Sequence, residues 1–429
     1  MLDRTSFQDE TCAATRPGGL TRFAMLAPFA TRSFRFQWPA DLLTSWAFEM
    51  ETIILGWYVL VETGSVLWLT VFGASQYLGT LIAPFYGVVG DRLGHKSLLL
   101  GMRIAYACFA SALLVCAIAH VVSPLVVLII ATLMGLIRPS DLGVRSALIA
   151  ETMPTETLIS ALSISRTTTD SARVAGALVG ASVFTFFGLA PAYVIITTFY
   201  VAGTLLMLGD TAPLRHVSLA MTPEEAAGKS PWRDLQEGLA HTWTTPMLLA
   251  LVSIAFLTNL SAFPLTNGLM PYVAKNVYAL DQTGLGFLVA SFAGGALIGS
   301  IVLSNVRGAT HLARLMVVTG LAWYAMLLVF AQMSTAAYAM PCLILAGIMQ
   351  SFCMVSLQIL LLRESGERFR GRVMGVRMMA IYSLPLGLLA AGPLIAALGW
   401  RGTASLYAVV GLVFTALIAL RWRAALWRR

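Results

Sequence analysis

Gly87-Val-Val-Gly90-Asp91-Arg92-Leu-Gly94-His95-Lys96 lies between two long apolar runs and is far more charged than either. Its glycines mark a tight turn, and Asp91, Arg92, His95 and Lys96 give that turn polar heads. A turn this short between two apolar helices folds them into an antiparallel hairpin. Its positive charge assigns it to the cytoplasmic side of a bilayer, where loops rich in Lys and Arg are retained.

The rest of the chain agrees with a bilayer. Of 429 residues, 58% are hydrophobic and 11% charged, whereas a soluble domain carries about 25% charge. The formal net charge of +8 raises the question of nucleic acid. The basic residues, however, are spread over short loops and form no groove interleaved with aromatics, so no nucleic-acid partner is expected. Cys12, Cys108, Cys116, Cys342 and Cys353 show no metal-ligand spacing and read as small apolar residues. The first 31 residues are mixed and polar, and do not read as a secretory signal.

Apolar runs long enough to cross about 30 Å of hydrocarbon fall near 36–61, 66–89, 97–119, 124–148, 159–187 and 191–209. A second set lies near 247–273, 283–304, 315–332, 337–362, 373–398 and 402–422. The expected fold is all-α and integral to the membrane, with twelve transmembrane helices in two pseudo-symmetric six-helix bundles. The divisions are a tail (1–33), a first bundle (34–209), a linker (210–245), a second bundle (246–424) and a basic end (425–429). Lys and Arg collect in the tail, at Arg92 and Lys96, in the linker, around Arg307 and Arg314, at 363–372 and at the C-terminus. The opposite loops hold only Lys275 and Arg401. Both termini are therefore expected in the cytoplasm. Within the linker, Ser230-Pro231 and the spacing of Trp232, Leu235, Leu239 and Trp243 predict a short amphipathic helix on the membrane surface, coupling the halves. Two similar halves around a midplane cavity are a transporter architecture.

The turn G-x-x-x-D-R-x-G-H-K closely resembles the loop signature between the second and third spans of the major facilitator superfamily. Thr52-Ile-Ile-Leu-Gly-Trp57-Tyr-Val, the run from Pro139 through Arg145 to Pro154, and Arg370-Gly-Arg-Val-Met-Gly375 followed by Pro385 and Gly392-Pro393 are similar to its drug and siderophore exporters. The resemblance extends to proton-driven macrolide exporters, the enterobactin exporter and lysophospholipid transporters. One departure is Ala177, where many antiporters place the proline of a Gly-Pro pair after Gly176. The resemblance implies a gate made by Gly87, Asp91, Arg92, Gly94 and Lys96. In it Asp91 holds the cytoplasmic ends of the halves together through Arg377 and the start of the eleventh helix, with Glu151 beside them.

Ionisable groups in hydrocarbon cost about 2.5–3.5 kcal/mol each on insertion scales, and here the first half holds nearly all of them. Asp41, Ser45, Glu49, Thr52 and Gly56 step by three or four residues and form one stripe on the first span. Glu49 falls near mid-span and is the expected proton carrier. Glu51 points elsewhere, towards a basic residue of a neighbouring span. Arg138, Asp141 and Arg145 share one face of the fourth span, and Arg166, Asp170 and Arg173 one face of the fifth. These two sets are expected to interlock. Arg173, deep in its span, is the candidate to meet an anionic substrate group or act on Glu49. Glu49, Glu51, Asp41 and Asp170 are thus the candidate coupling carboxyls. Trp46, Tyr58, Asn259, Phe263, Asn267, Tyr324, Gln350, Phe352, Gln358 and Tyr382 are expected to line a large aromatic cavity suited to an amphiphile.

The chain has no nucleotide-binding loop, metal-diphosphate motif or metal-ligand array, so neither an enzyme nor a cofactor is expected. The reading is a monomeric, multi-pass secondary transporter of the inner membrane, exporting a small amphiphile against proton entry. A proton-coupled importer or a facilitator of a lysolipid or metabolite is the alternative on the same fold. Asp91→Asn is expected to shift the population towards the inward-facing state. Thiol labelling of cysteines placed in the cytoplasmic cavity should then rise; unchanged labelling would remove the gating role.

Overall fold

The computed structural model describes residues 24–209, 231–305 and 311–427. The tail before residue 24, the linker at 210–230, the Arg307 turn and Arg428–Arg429 lie outside the described residues. Within them every regular element is helical.

The long first helix, α1 (Arg32–Thr63), ends at Gly64, whose φ of 61° lets its N–H reach back to the Leu60 carbonyl at 3.0 Å. The second span is broken into α2 (Val66–Ser75), a 3-10 turn (Leu78–Ile82) and α3 (Ala83–Leu93). The break rests on Gly135 and Leu136 of α5 (Pro124–Thr152). Pro139, four residues on, cannot donate back to Gly135. Between them runs α4 (His95–Ile118), and α5 is followed by α6 (Thr155–Phe187) and α7 (Leu189–Leu208).

The linker helix, α8 (Pro231–Thr244), packs on α13 (Gly366–Ile381) and α9 (Pro246–Ser261), so its main contacts are all with the second half. Glu237 pairs with Arg372 at 2.9 Å and His241 stacks on Phe369, while Trp243 is exposed. The side chains of Trp232 and Leu235 lie outside the described residues. The seventh span leaves the α-helix after α9 and continues through π-helical turns at Pro264–Gly268 and Val273–Val277. Pro264 and Pro271 each remove a backbone donor there. Then follow α10 (Gln282–Asn305), α11 (Leu312–Gln332), α12 (Ala336–Glu364), α14 (Ser383–Arg421) and the short α15 (Arg423–Leu426).

Among the described residues, eight helical stretches are long and apolar enough to cross a membrane. One of them, Gly371–Arg421, reverses at Gly399, where φ is 69°. α1 and α6 have the length, 32 and 33 residues, but are less apolar because of the ionisable side chains along them. That charge is informative about function.

The halves meet along two seams of matching kind. The fifth span of the first half, α6, packs along α10, and α2 packs along α14. The α6–α10 seam is tight where it runs towards the 188 and 279–281 turns. A Cβ on Gly286 would lie 2.7 Å from the Ala181 Cβ, and the Thr283 hydroxyl donates to Thr185 at 3.0 Å. Gly392 abuts Leu67 and Thr70 near the same end. At the opposite end α3 packs chiefly on α4, α5 and the 3-10 turn, and Phe85 is 67% exposed. The seam is closed at the end of the 188 and 279–281 turns.

A cysteine pair replacing Thr185 and Thr283 is therefore expected to cross-link readily under mild oxidation. Gly286→Leu, which has no room against Ala181, should cut the yield at least about twofold, since overpacking a seam costs about 1–3 kcal/mol. Equal yields would show that the seam is looser than described.

Candidate functional site

The charges of the first half separate into two groups. The first is a closed network near the turn at 153. Asp41 of α1, Arg103 of α4, and Asp141 and Arg145 of α5 are each at most 3% exposed. Arg103 is ion-paired to Asp41 and donates to the Ala40 carbonyl at 2.7 Å. Arg145 pairs with Asp141, lies 3.4 Å from Asp41 and donates to Ser45 at 3.0 Å. Two guanidinium groups face two carboxylates, so the network is formally neutral. It interlocks α1, α4 and α5, as a buried set must if it is not to strand a charge.

The second group lies at mid-span, where the halves meet. Gly176 brings α6 so close to α1 that a Cβ there would fall 2.7 Å from the Cβ of Glu49. One turn earlier on α6, the Arg173 Nε lies 3.9 Å from the Glu49 carboxylate. The Glu49 side chain is 18% exposed and that of Arg173 39%. This pair is thus partly exposed, as Asp41 is not.

Beside it Arg138 donates to Thr52 at 2.7 Å and to the Gln76 side chain at 2.8 Å. Its guanidinium covers the ring of Phe48, 4.6 Å from the centroid. Gln76 and Tyr77 sit at the break in the second span. Tyr77 meets Asn267 from the π-turn of the seventh, so the interrupted helices of both halves touch here. Interrupted helices free backbone and side-chain dipoles for a ligand, which makes this a natural binding position. Glu51 accepts from the hydroxyls of Tyr193 at 3.2 Å and Tyr200 at 2.9 Å. A narrow pocket lined by Glu51, Thr52, Gln76 and Arg138 has room for about one water.

Several expectations need correction. The charged sets of the fourth and fifth spans do not interlock with each other, because α1 stands between them and takes both. Asp41 and Glu49, on one predicted stripe, serve different groups. Glu51 takes its hydrogen bonds from two tyrosines, with the expected basic residue of a neighbouring span, Arg138, across the narrow pocket that both line. Arg166 pairs with Asp170 at 3.3 Å on its own helix and is largely exposed. In the predicted gate, Glu151 holds His95 at 2.6 Å. Arg92 is exposed, Lys96 buried and Gly94 the hinge residue between α3 and α4. Arg377 is half-buried and faces the like charge of Arg166 across the seam. The side chains of Asp91 and of position 87 lie outside the described residues.

Among the predicted cavity residues, Tyr324 is fully enclosed and bonded to Ser261 at 2.9 Å, so it belongs to the core. Tyr58 donates to the Val122 carbonyl at 3.0 Å, tying a loop. Asn259 bonds back to Ala255, and Gln358 is exposed. Trp46 packs edge-on to Phe199 and Phe263 edge-on to Trp323. Tyr382 crosses the seam to the Thr80 carbonyl at 2.6 Å. Gln350 and Phe352 are half-buried on α12. Asn267 is the predicted second-half residue that reaches the charged cluster. The sequence reading passed over Gln76, Tyr77, Tyr193 and Tyr200. The seven-residue spacing of Tyr193 and Tyr200, which puts both on one helix face, was a usable signal.

The sequence model of the Major Facilitator Superfamily matches residues 38–386. The chain belongs to that superfamily. It is similar in fold to the human organic anion transporter MFSD10 (TM-score 0.64, 15% identity, covering 90% of this chain and 99% of that one). A bacterial homolog of the human lysosomal transporter Spinster, inward-facing and unoccupied, superposes with TM-score 0.67 at 13% identity over 91% of this chain and 97% of that one. The nucleoside transporter NupG does so with 0.66 at 13% identity, over 92% and 99%. At these identities the likeness is one of fold. No curated protein matches the chain.

Asp41→Asn leaves two buried guanidinium groups with one carboxylate, and a broken buried pair costs about 3–5 kcal/mol. A clear drop in melting temperature in detergent is expected, larger than for Asp170→Asn at its more exposed pair. Equal stability of Asp41→Asn and the parent would show that the network is dispensable.

Proposed function

We propose that this major facilitator is a proton-coupled secondary transporter of a small amphiphile, working by alternating access. The observation that carries the reading is the Glu49–Arg173 pair. It is a carboxylate and a guanidinium at mid-span, partly exposed, where the interrupted helices of the two halves meet. A carboxyl in such a place can gain a proton from one side and release it to the other, and its neighbour's charge makes that step sensitive to what else is bound.

In this proposal the chain crosses the inner membrane twelve times as a monomer, six spans on each side of the linker, with both termini in the cytoplasm. The closed end of the seam, at the 188 and 279–281 turns, is then the outer one, and the arrangement is inward-facing. Rocking about the α6–α10 and α2–α14 seams would expose the cluster outwards. The Thr80–Tyr382 bond is one of the contacts that such a motion would keep or break.

The resemblance to drug and siderophore exporters supports export by exchange with protons. A second reading, uptake together with protons, is supported by the pairing of Glu49 with a cation instead of its being left open to one.

In proteoliposomes with an imposed proton gradient, a panel of lipophilic cations, macrolides, siderophores and lysolipids should include a class whose addition moves protons. Glu49→Gln should abolish proton-driven accumulation while leaving exchange down the substrate's own gradient. Unaltered uphill transport in that variant would remove Glu49 from the mechanism.

A further inference from the structure

The mid-span cluster contains two guanidinium groups and two carboxylates, yet they are not matched one to one. Glu51 gives both oxygens to tyrosine hydroxyls and lines a narrow pocket together with Arg138. Arg138 is held by Thr52, Gln76 and the face of Phe48, all neutral. Among the described residues no carboxylate lies within ion-pair distance of it. Arg173 has Glu49, but at 3.9 Å, longer than a hydrogen bond, and its guanidinium keeps an exposed face. Arg173 thus keeps an exposed face with space beside it that Glu49 borders, while Arg138, also close to Tyr77, shares its own narrow pocket with Glu51. A mid-membrane cation whose carboxylate stands beyond hydrogen-bond distance calls for a functional partner.

We infer that this space receives the anionic head of an amphiphile, a carboxylate, sulfonate or phosphate ester, bound by Arg173 with Arg138 behind it, and that the anion binds together with a proton on Glu49. The inference rests on Glu49 being the coupling carboxyl and adds the class of substrate and the sign of the coupling.

The sign follows from electrostatics. While Glu49 is ionised it neutralises Arg173 and repels an incoming anion. Once protonated, it leaves Arg173 uncompensated, and the anion takes its place. By linkage, the bound anion favours the proton on Glu49 to the same degree. Proton and substrate therefore assist each other, whereas exchange of a cation for a proton requires them to compete for one carboxylate. One proton with one monovalent anion crosses as a neutral pair. Under an inward proton gradient the anion moves inward, the opposite of the direction implied by the exporter resemblance.

The groups around Glu49 leave Arg173 as its main partner. From α6 come Arg173 and, a turn away, Asp170, which Arg166 already engages. The second span contributes Tyr77, which in turn feels Arg138 of α5. On α7 the titratable Tyr193 and Tyr200 turn to Glu51. The seventh span brings neutral Asn267. The apolar part of an amphiphile would find Phe263, Tyr272 and Tyr77, which pack at the interface of the halves.

The test is binding to the full chain in nanodiscs, measured by calorimetry at about pH 4 and about pH 8, which bracket the ordinary glutamate carboxyl while a sulfonate stays ionised at both. The probes are a naphthalene sulfonate, its neutral sulfonamide, the matching trimethylammonium cation, an aromatic carboxylate and an aryl phosphate. At least one anion is expected to bind about tenfold or more tightly at the lower pH. Glu49→Gln should show the tight affinity at both pH values. Arg173→Gln should lose about tenfold or more, and Arg173→Lys should recover part of it, with melting curves confirming that both variants fold. Anion binding that is indifferent to pH, or that keeps its pH dependence in Glu49→Gln, would overturn the inference. So would binding of the cation alone, or of no anion. If proton-driven, Glu49-dependent transport of a cation is found at the same time, the proposed coupling survives and only this inference falls. If Glu49 proves irrelevant to proton movement, the coupling proposal itself fails.

Discussion

An ionised side chain removed from water must find its counter-charge inside the protein, or some other compensation, and this constraint organises the first half of the molecule. Transfer into hydrocarbon costs several kcal/mol even on lenient scales. Two arrangements answer it. At one depth Asp41, Arg103, Asp141 and Arg145 close on themselves, neutral and dry. Nearer the middle, Glu49 and Arg173 stand beyond hydrogen-bond distance and partly exposed, with Arg138 close by in a pocket it shares with Glu51. The first arrangement fixes three helices against one another. In the proposed function the second responds to protons and ligands within the frame that the first fixes.

Position reinforces the contrast. The closed network lies inside one bundle, so relative motion of the halves does not disturb it. The open cluster lies where α1, α6 and the broken second and seventh spans converge, and there a small rotation changes both the surroundings and the access of water. The seam that closes one end is built of small residues, Ala177, Ala181 and Gly286, with side chains too short to lock it. Ala177, which stands where many antiporters have a proline, is part of this contact. At this position the chain uses close packing in place of a kink.

Much of the fold was legible because its signals are coarse. Apolar runs of spanning length, the glycine-rich basic turn and the uneven Lys and Arg loops require only composition and spacing. The breaks in the second and seventh spans were less legible. Pro264 and Pro271 announced one, but the other depends on α5 lying against residues 76–82, a contact between segments far apart in sequence. At the site, the spacing of Asp41 and Glu49 correctly placed them on one helix and wrongly suggested one partner set. A stripe on a long helix passes several neighbours in turn, and Asp41 meets α4 and α5 while Glu49 meets α6. Arg138 and Arg145 divide in the same way, since their seven-residue separation moves Arg138 about 10 Å along the axis towards the middle. The partners of Glu51 were hidden for a different reason, because tyrosines in an apolar helix look like packing until a carboxylate is seen between them.

Proton coupling at this cluster requires that Glu49 and Arg173 act on each other. A double-mutant cycle tests it most directly, with Glu49→Gln, Arg173→Gln and the pair compared by unfolding in detergent at neutral pH and low salt. Arg173 is more than one-third exposed, so solvent screening reduces the interaction to about 0.2–1 kcal/mol. The account predicts a non-additivity of about that size that shrinks as salt is raised, with the double variant more stable than the two single losses together imply. Strict additivity at low salt would mean that the two groups are merely neighbours, and would contradict it.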